Sequence, residues 1–318
     1  MTIHTESQIE INVGVDVGKS KLDIVLHPLD LHFQIPNEET SIRKIVQVLK
    51  AQNVTRIVTE ATGRHEHAFV FACDQANLPI VVVNPVSIRR YAQAIGVLAK
   101  TDKIDASVIA RFAATIQPDI KPIPDKQSRL IKDLLIRRSQ LLEMQTMEKN
   151  RLQILPKALH RSIKTLLRSL ETQIKTITKQ IDEAVMQVKH WRTKTEILTS
   201  VPGVGKVLAY TLLSELPELG NLNLKEIAAL VGVAPMNHES GTWNGKRRIR
   251  GGRHRIRTVM FMAMLSSIQC NPIFKRFYEH LKAHGKLPKV AIIACMRKLI
   301  VVLNTMLKNE TRWGENIA

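Results

Sequence analysis

Two apolar runs rich in β-branched residues, at 11–17 (Ile-Asn-Val-Gly-Val-Asp-Val) and 22–26, are separated by only four residues, Gly18-Lys19-Ser20-Lys21. A bridge this short and turn-rich reads as a hairpin, so the chain opens with antiparallel pairing. A third short run near His32–Ile35 completes a meander. From there the signals alternate. Residues 41–51 carry Ile42, Ile45, Val46 and Leu49 on one helical side, and 56–60 reads as a strand. A helix around 66–76 follows. The apolar run 78–83, between Asn77 and Asn84-Pro85, has the length and flanks of a buried strand. Helices at about 86–98 and 103–115 close the unit.

Three antiparallel strands followed by α, β, α, β, α is the order of a ribonuclease-H-like α/β domain, here spanning 11–116. The order puts Asp16 on the first strand and Glu60 at the end of the fourth. Asp102 and Asp105, three apart, share one face at the start of the last helix. Carboxylates gathered this way repel one another unless a divalent cation neutralises them. Hard oxygen donors suit Mg²⁺ (or Mn²⁺), which keeps waters and takes phosphate oxygens into its shell. Two such ions can hold the attacking and leaving oxygens of a phosphodiester.

The 318 residues suggest about two domains by the usual ~150-residue prior. Net charge is +19, and it is segregated. Residues 1–120 hold 12 Lys/Arg and 13 Asp/Glu, leaving 35 basic and 15 acidic residues in 121–318. A near-neutral catalytic domain joined to a region that grips polyanions has this distribution. Cys73, Cys270 and Cys295 are too scattered for a disulfide framework or a zinc site, which fits a reducing cytosol. No signal peptide is expected. No run reaches the ~18 apolar residues of a membrane span; Val290–Leu307 comes nearest but carries Arg297 and Lys298. The expected location is the bacterial cytoplasm, at the nucleoid, with no membrane partner.

Flexible tails are expected at 1–10 and 311–318, and a proline-rich linker at 117–125. Two long helices, about 125–155 and 157–190, form a helical coiled-coil region over 126–192. In the second, Ile163, Leu167, Leu170, Ile174, Ile177 and Ile181 step by 4, 3, 4, 3, 4, a heptad seam. A seam so narrow on a polar helix must bury against the preceding helix or another subunit, and subunit contact is the favoured expectation. An α-helical domain over 193–310 follows. It opens on a helix–hairpin–helix pattern, a short helix, Val201-Pro-Gly-Val-Gly205, then a second helix from Lys206. Gly203 and Gly205 would admit a phosphate to the second helix's free N–H groups, with Lys206 beside them. A plain αα turn is the alternative.

Seven basic residues and no acid fall in 246–257: Lys246, Arg247, Arg248, Arg250, Arg253, Arg255 and Arg257. Such density is the footprint of phosphate contacts. Just upstream lies Ser240-Gly241, beside His238 and Glu239. By chemistry alone Ser240 reads as an ordinary turn serine. Activated by a base, a metal or nearby cations, it would be a nucleophile. Trp243 could stack on a base or pack the loop. His65 and His67 cannot share a helix face and read as turn residues. Met260, Met262 and Met264 read as core.

The whole chain resembles the DEDD-type insertion-sequence transposases, a family that includes a pilin-gene invertase. The resemblance rests on Val-Gly-Val-Asp-Val-Gly-Lys at 13–19, Thr-Glu-Ala-Thr-Gly at 59–63 and Ala-Lys-Thr-Asp-Lys-Ile-Asp-Ala at 99–106. It continues through Val201–Gly205, through Val-Gly-Val-Ala-Pro at 231–235 with Glu-Ser-Gly and Gly-Lys-Arg-Arg-Ile behind it, and through 271–278 and 290–299. It implies a RuvC-like domain with Asp16, Glu60, Asp102 and Asp105 as metal ligands, and a C-terminal transposase domain with Ser240 as the residue attacking DNA. It also implies a transient phosphoserine–DNA link, a dimer or tetramer in which one subunit's serine works with another's acids, and, for one group, an element-encoded guide RNA. The loop Arg-Ile-Arg-Gly-Gly-Arg-His at 248–254 departs from the family pattern. Three rival readings remain: a hydrolytic junction resolvase with Ser240 idle, a non-enzymatic helix–hairpin–helix DNA-binding protein, and an actin-like or sugar-kinase ATPase. The basic second half argues against the last.

Overall fold

The computed structural model describes residues 10–314, except Leu98, Lys100, His238, Gly241, Thr242 and Lys246, and describes Glu239, Ser240, Trp243 and Asn244 by backbone alone. The side-chain roles expected of Ser240, Trp243 and Lys246, and residues 1–9 and 315–318 of the two tails, fall outside the described residues. The chain divides into two compact units, 1–123 and 124–318.

The first unit is a five-stranded mixed sheet with helices. Its elements are β1 (Asn12–Val17), β2 (Lys21–His27), β3 (Leu31–Pro36), α1 (Glu39–Ala51), β4 (Arg56–Glu60), α2 (His67–Gln75), β5 (Ile80–Val83), α3 (Pro85–Ala94) and α4 (Asp102–Ile116). Spatial order is β3-β2-β1-β4-β5. β1 runs antiparallel to β2 and parallel to β4, and β4 runs parallel to β5. Strand alternation sorts the side chains. Val13, Val15 and Val17 bury with Leu22, Ile24 and Leu26 against Ile42, Ile45 and Leu49 of α1 and Phe69 of α2. Each such side chain contributes about 1.5–3 kcal/mol on burial. Asn12, Gly14 and Asp16 point to the opposite face, where Val25 packs with Ala106 and Ala110 of α4. The expectation of a fully buried last strand needs correction. β5 is an edge strand, so Ile80 and Val81 are buried while Val82 is exposed.

The second unit is almost wholly helical. Asp125 caps α5 (Lys126–Ile154) by accepting a hydrogen bond from the Ser128 N–H at 2.9 Å. After a turn at Pro156 comes α6 (His160–Met186), which folds back along α5. Part of the heptad seam is covered within the chain. Ile163, Leu170 and Ile181 of α6 are buried, as are Ile131, Leu135 and Leu141 of α5. Leu167, Ile174 and Ile177 of the seam are half-buried. The expected long helix also stops short of 190, where Val188 takes an extended conformation before α7 (Lys189–Thr199). α8 (Lys206–Glu215) and α9 (Leu224–Val231) follow. Next come the two-residue strands β6 (Pro235–Met236), β7 (Glu239–Ser240), β8 (Trp243–Asn244) and β9 (Arg248–Ile249), then α10 (His254–Cys270), α11 (Pro272–Ala283) and α12 (Pro288–Asn309).

The core of these helices centres on α12, whose Cys295, Met296, Leu299, Ile300 and Leu303 are fully buried. By length and composition α12 could cross a membrane; its burial among the other helices marks it as a core element. Met260 and Met264 fill this core as expected, but Met262, two residues along the same helix from each, faces outward.

Candidate catalytic site

β1 and β2 pair with Asp16 directly opposite Asp23, so both side chains project to the same face of the sheet. β1 and β4 pair with Val15 beside Thr59. The next residue on each strand, Asp16 and Glu60, therefore stands at the adjoining strand ends, on the α4 face. Both are half-buried.

Gly14 brings α4 to this place. A Cβ at that position would overlap the Ala106 carbonyl and the Ala110 amide, and would lie 2.8 Å from Ala110 Cα. The helix backbone thus rests directly on the strand, two residues before Asp16. Asp105 precedes Ala106, and Asp102 lies a turn earlier on the same stripe. Thr101 caps the helix, accepting from the Ile104 N–H at 3.3 Å. The unpaired N–H groups and dipole of the first turn favour the charge of both aspartates. The structure thus gathers Asp16, Glu60, Asp102 and Asp105 at one end of the sheet, under the first turn of α4.

Sequence reasoning missed two residues here. Lys21 Nζ lies 2.6 Å from Asp102 Oδ2 and 3.5 Å from Asp23 Oδ2. Asp23 is 2% exposed, and its Oδ1 is 3.0 Å from both His32 Nε2 and Gln34 Nε2. Burial alone would raise the Asp23 pKa. The hydrogen bonds from Gln34 and His32 and the charge of Lys21 outweigh burial and hold the carboxyl below its ordinary value. The hydrogen bond to Asp102 raises the Lys21 ammonium above its usual value; desolvation opposes this and the charge of Asp23 reinforces it. The signal was in the sequence. Asp23 interrupts an apolar run, and a hairpin turning at 18–20 places it opposite Asp16.

The donors suit a hard divalent ion by chemistry and by their common face. Among the described residues, no three His, Cys, Asp or Glu side chains converge tightly enough to hold one. Asp102 is engaged by Lys21.

In the second unit, Gly203 takes φ +92°, and a Cβ there would overlap the Ser267 hydroxyl and lie 2.7 Å from the Ser267 nitrogen. Its close approach is to α10, so Gly203 packs the helix–hairpin–helix turn against the core. Gly205, the N-cap of α8, has open space beside it. Lys206 is paired with Asp182 at 3.4 Å, and Asp182 also accepts from the Tyr210 hydroxyl at 2.7 Å.

The basic stretch divides in two. Arg253 makes a bidentate pair with Glu218 at 2.7 and 2.8 Å and donates to the Glu215 carbonyl at 2.6 Å. Arg255 pairs with Glu215 at 2.5 Å. Arg257 donates to the Gly251 carbonyl at 2.6 Å and reaches the Gly232 carbonyl at 3.4 Å. These three, read from sequence as phosphate contacts, are half-buried and bind the start of α10 to the α8–α9 turn and the end of α9. Arg247, Arg248 and Arg250 remain exposed. The segment 235–249 pairs with itself, Pro235 opposite Ile249, Met236 opposite Arg248, Glu239 opposite Asn244 and Ser240 opposite Trp243. The segment forms two nested two-residue antiparallel pairs, with Ser240 in the inner one. Its root is closed by Gly232 and Gly252, where a Cβ on Gly252 would overlap the Gly232 amide and lie 2.6 Å from the Val231 carbonyl carbon.

Residues 13–161 match the family model of DEDD-type IS110 transposases, described as "Transposase". Residues 195–279 match a second model, "Transposase IS116/IS110/IS902 family". The pilin gene-inverting proteins of Moraxella bovis and Moraxella lacunata are each 25% identical over 323 residues, covering 96% of this chain and 98% of their own length. An uncharacterized 43.6 kDa protein of insertion element IS110 from Streptomyces coelicolor is 31% identical over 117 residues, 36% of this chain and 29% of that one.

Proposed function

We propose that this chain, which belongs to the IS110 family of DEDD transposases, cuts and rejoins DNA strands through a serine–phosphate link formed by Ser240. The family is one of enzymes. The observation that carries the reading is the gathering of Asp16, Glu60, Asp102 and Asp105 at one end of the sheet, inside the stretch matched to the DEDD transposases. In this reading the first unit is RuvC-like, and these four residues hold Mg²⁺ or Mn²⁺. When bound, the ion supplies Lewis-acid polarisation of the scissile phosphate and neutralises charge developing on it.

The chain's own residues do the rest. Ser240 loses its proton and forms an Oγ–P bond as a P–O bond to a deoxyribose oxygen breaks; the departing oxygen takes up a proton. The hydroxyl of the exchanged strand then attacks the same phosphorus and releases the serine. One ester bond replaces another at each step, so rejoining needs no nucleoside triphosphate. Arg247, Arg248 and Arg250, exposed in the same stretch of chain, grip the flanking phosphates. The open N-terminus of α8 at Gly205 adds backbone N–H donors.

DNA ends and target are the substrates, and an element-encoded guide RNA is the further partner in this reading. The acids and the serine belong to separate units of the chain, so a dimer or tetramer can supply a serine from one subunit to the acids of another. The work takes place in the bacterial cytoplasm. The test incubates purified protein with labelled element ends and Mg²⁺ and looks for a covalent protein–DNA adduct. The adduct forms with wild type and is lost in Ser240→Ala and in Asp16→Asn. Strand cleavage that persists in Ser240→Ala makes the chemistry hydrolytic and refutes the serine mechanism.

A further inference from the structure

Five carboxylates crowd the end of the sheet beneath α4: Asp16, Asp23, Glu60, Asp102 and Asp105. Asp16 and Asp23 face each other directly across an antiparallel pair, where like charges repel. Lys21 enters this cluster with its ammonium between Asp102 and Asp23. Its two partners differ in kind. Asp23 is buried and fixed by His32 and Gln34, so it cannot leave. Asp102 is half-exposed on the first turn of a helix, with its side chain 53% accessible. The lysine's flexible four-carbon stem lets it release the outer carboxylate while keeping the inner one.

We propose that Lys21, anchored on Asp23, is a resident cation of this acidic site: it holds Asp102 and must yield that carboxylate before a divalent ion binds. Lys21 and Asp23 are then positioning residues that set the affinity of the site, and the lysine offsets the repulsion between Asp23 and Asp102. The inference rests on the reading of the quartet as a metal site.

Isothermal titration of the full chain with Mn²⁺ tests it, comparing wild type with Lys21→Met, Lys19→Met, Asp23→Asn and Asp16→Asn. Lys21→Met binds Mn²⁺ more tightly, up to about fivefold, the range set by loss of an exposed ion pair. Its metal-free form also melts at a lower temperature than wild type, and added Mn²⁺ closes the gap. Lys19→Met, which removes the same charge from the same turn, changes the affinity by less than about twofold. Asp23→Asn, which leaves Lys21 on Asp102, weakens binding, and the weakening disappears when Lys21→Met is added. Lys21→Gln serves as a second neutral variant if the Met form folds poorly. If wild type binds no Mn²⁺, or Asp16→Asn binds it equally well, the metal reading and this inference both fall. If wild type binds, Asp16→Asn does not, and neither neutral Lys21 variant gains affinity beyond Lys19→Met, this inference alone is overturned.

Discussion

Substituting alanine for Gly14 tests whether packing between β1 and α4 sets the geometry of the acidic site. The new methyl would overlap the Ala106 carbonyl and the Ala110 amide and sit 2.8 Å from Ala110 Cα. Carbon atoms pack comfortably at about 3.5–4.0 Å, so the helix must retreat by roughly 1 Å. Every atom in the way is backbone, and no rotamer change can relieve the clash. Overpacking of this kind costs about 1–3 kcal/mol. Taking ~2 kcal/mol, the transition of the first unit falls by roughly 10 °C. The functional cost is larger than the stability cost, because the retreating helix carries Asp102 and Asp105 away from Asp16 and Glu60. A displacement near 1 Å in a catalytic constellation costs about 100-fold. The assay is the rate of covalent adduct formation at a temperature where circular dichroism shows Gly14→Ala folded. Adding Ala110→Gly does not restore the rate, since the obstruction is backbone. A folded Gly14→Ala protein that forms adduct at the wild-type rate refutes the argument that this contact positions the acids.

Three further outcomes follow from the second unit and the thiols. Arg253→Met breaks a partly buried bidentate pair with Glu218 and lowers stability to urea by about 2–3 kcal/mol. Arg248→Ala and Arg250→Ala leave stability unchanged and weaken nucleic-acid binding at every sequence, each reducing the salt slope by about 1. Of the three thiols only Cys270 is exposed; burial drives the Cys73 thiol far up and raises Cys295 to about 11, Lys298 opposing the latter. Native protein at mildly alkaline pH therefore reacts with one equivalent of a thiol reagent, and denatured protein with three.

Local pattern was enough to order the first unit, because strand alternation, helical periodicity and a four-residue hairpin are short-range signals. The run 11–17, its partner at 22–26 and the acids at 16, 60, 102 and 105 could all be placed from sequence. The seam on α6 was equally visible, yet periodicity states that a face is apolar and not what covers it. The fold gave part of that role to α5 of the same chain. The seven basic residues of 246–257 look alike as a string of charges. Only the tertiary structure separates Arg253, Arg255 and Arg257, held by Glu218, Glu215 and backbone carbonyls, from the arginines left facing solvent. That Gly203 packs against Ser267 of α10 is likewise visible only in the fold. Asp23 was masked by its place in an apolar run, and cross-strand register revealed it as the inner wall of the acidic site. The sequence by itself determined the elements of the first unit and their order. Which charges are spent inside the protein was decided by the tertiary structure, since a charge's partner depends on contacts made far along the chain.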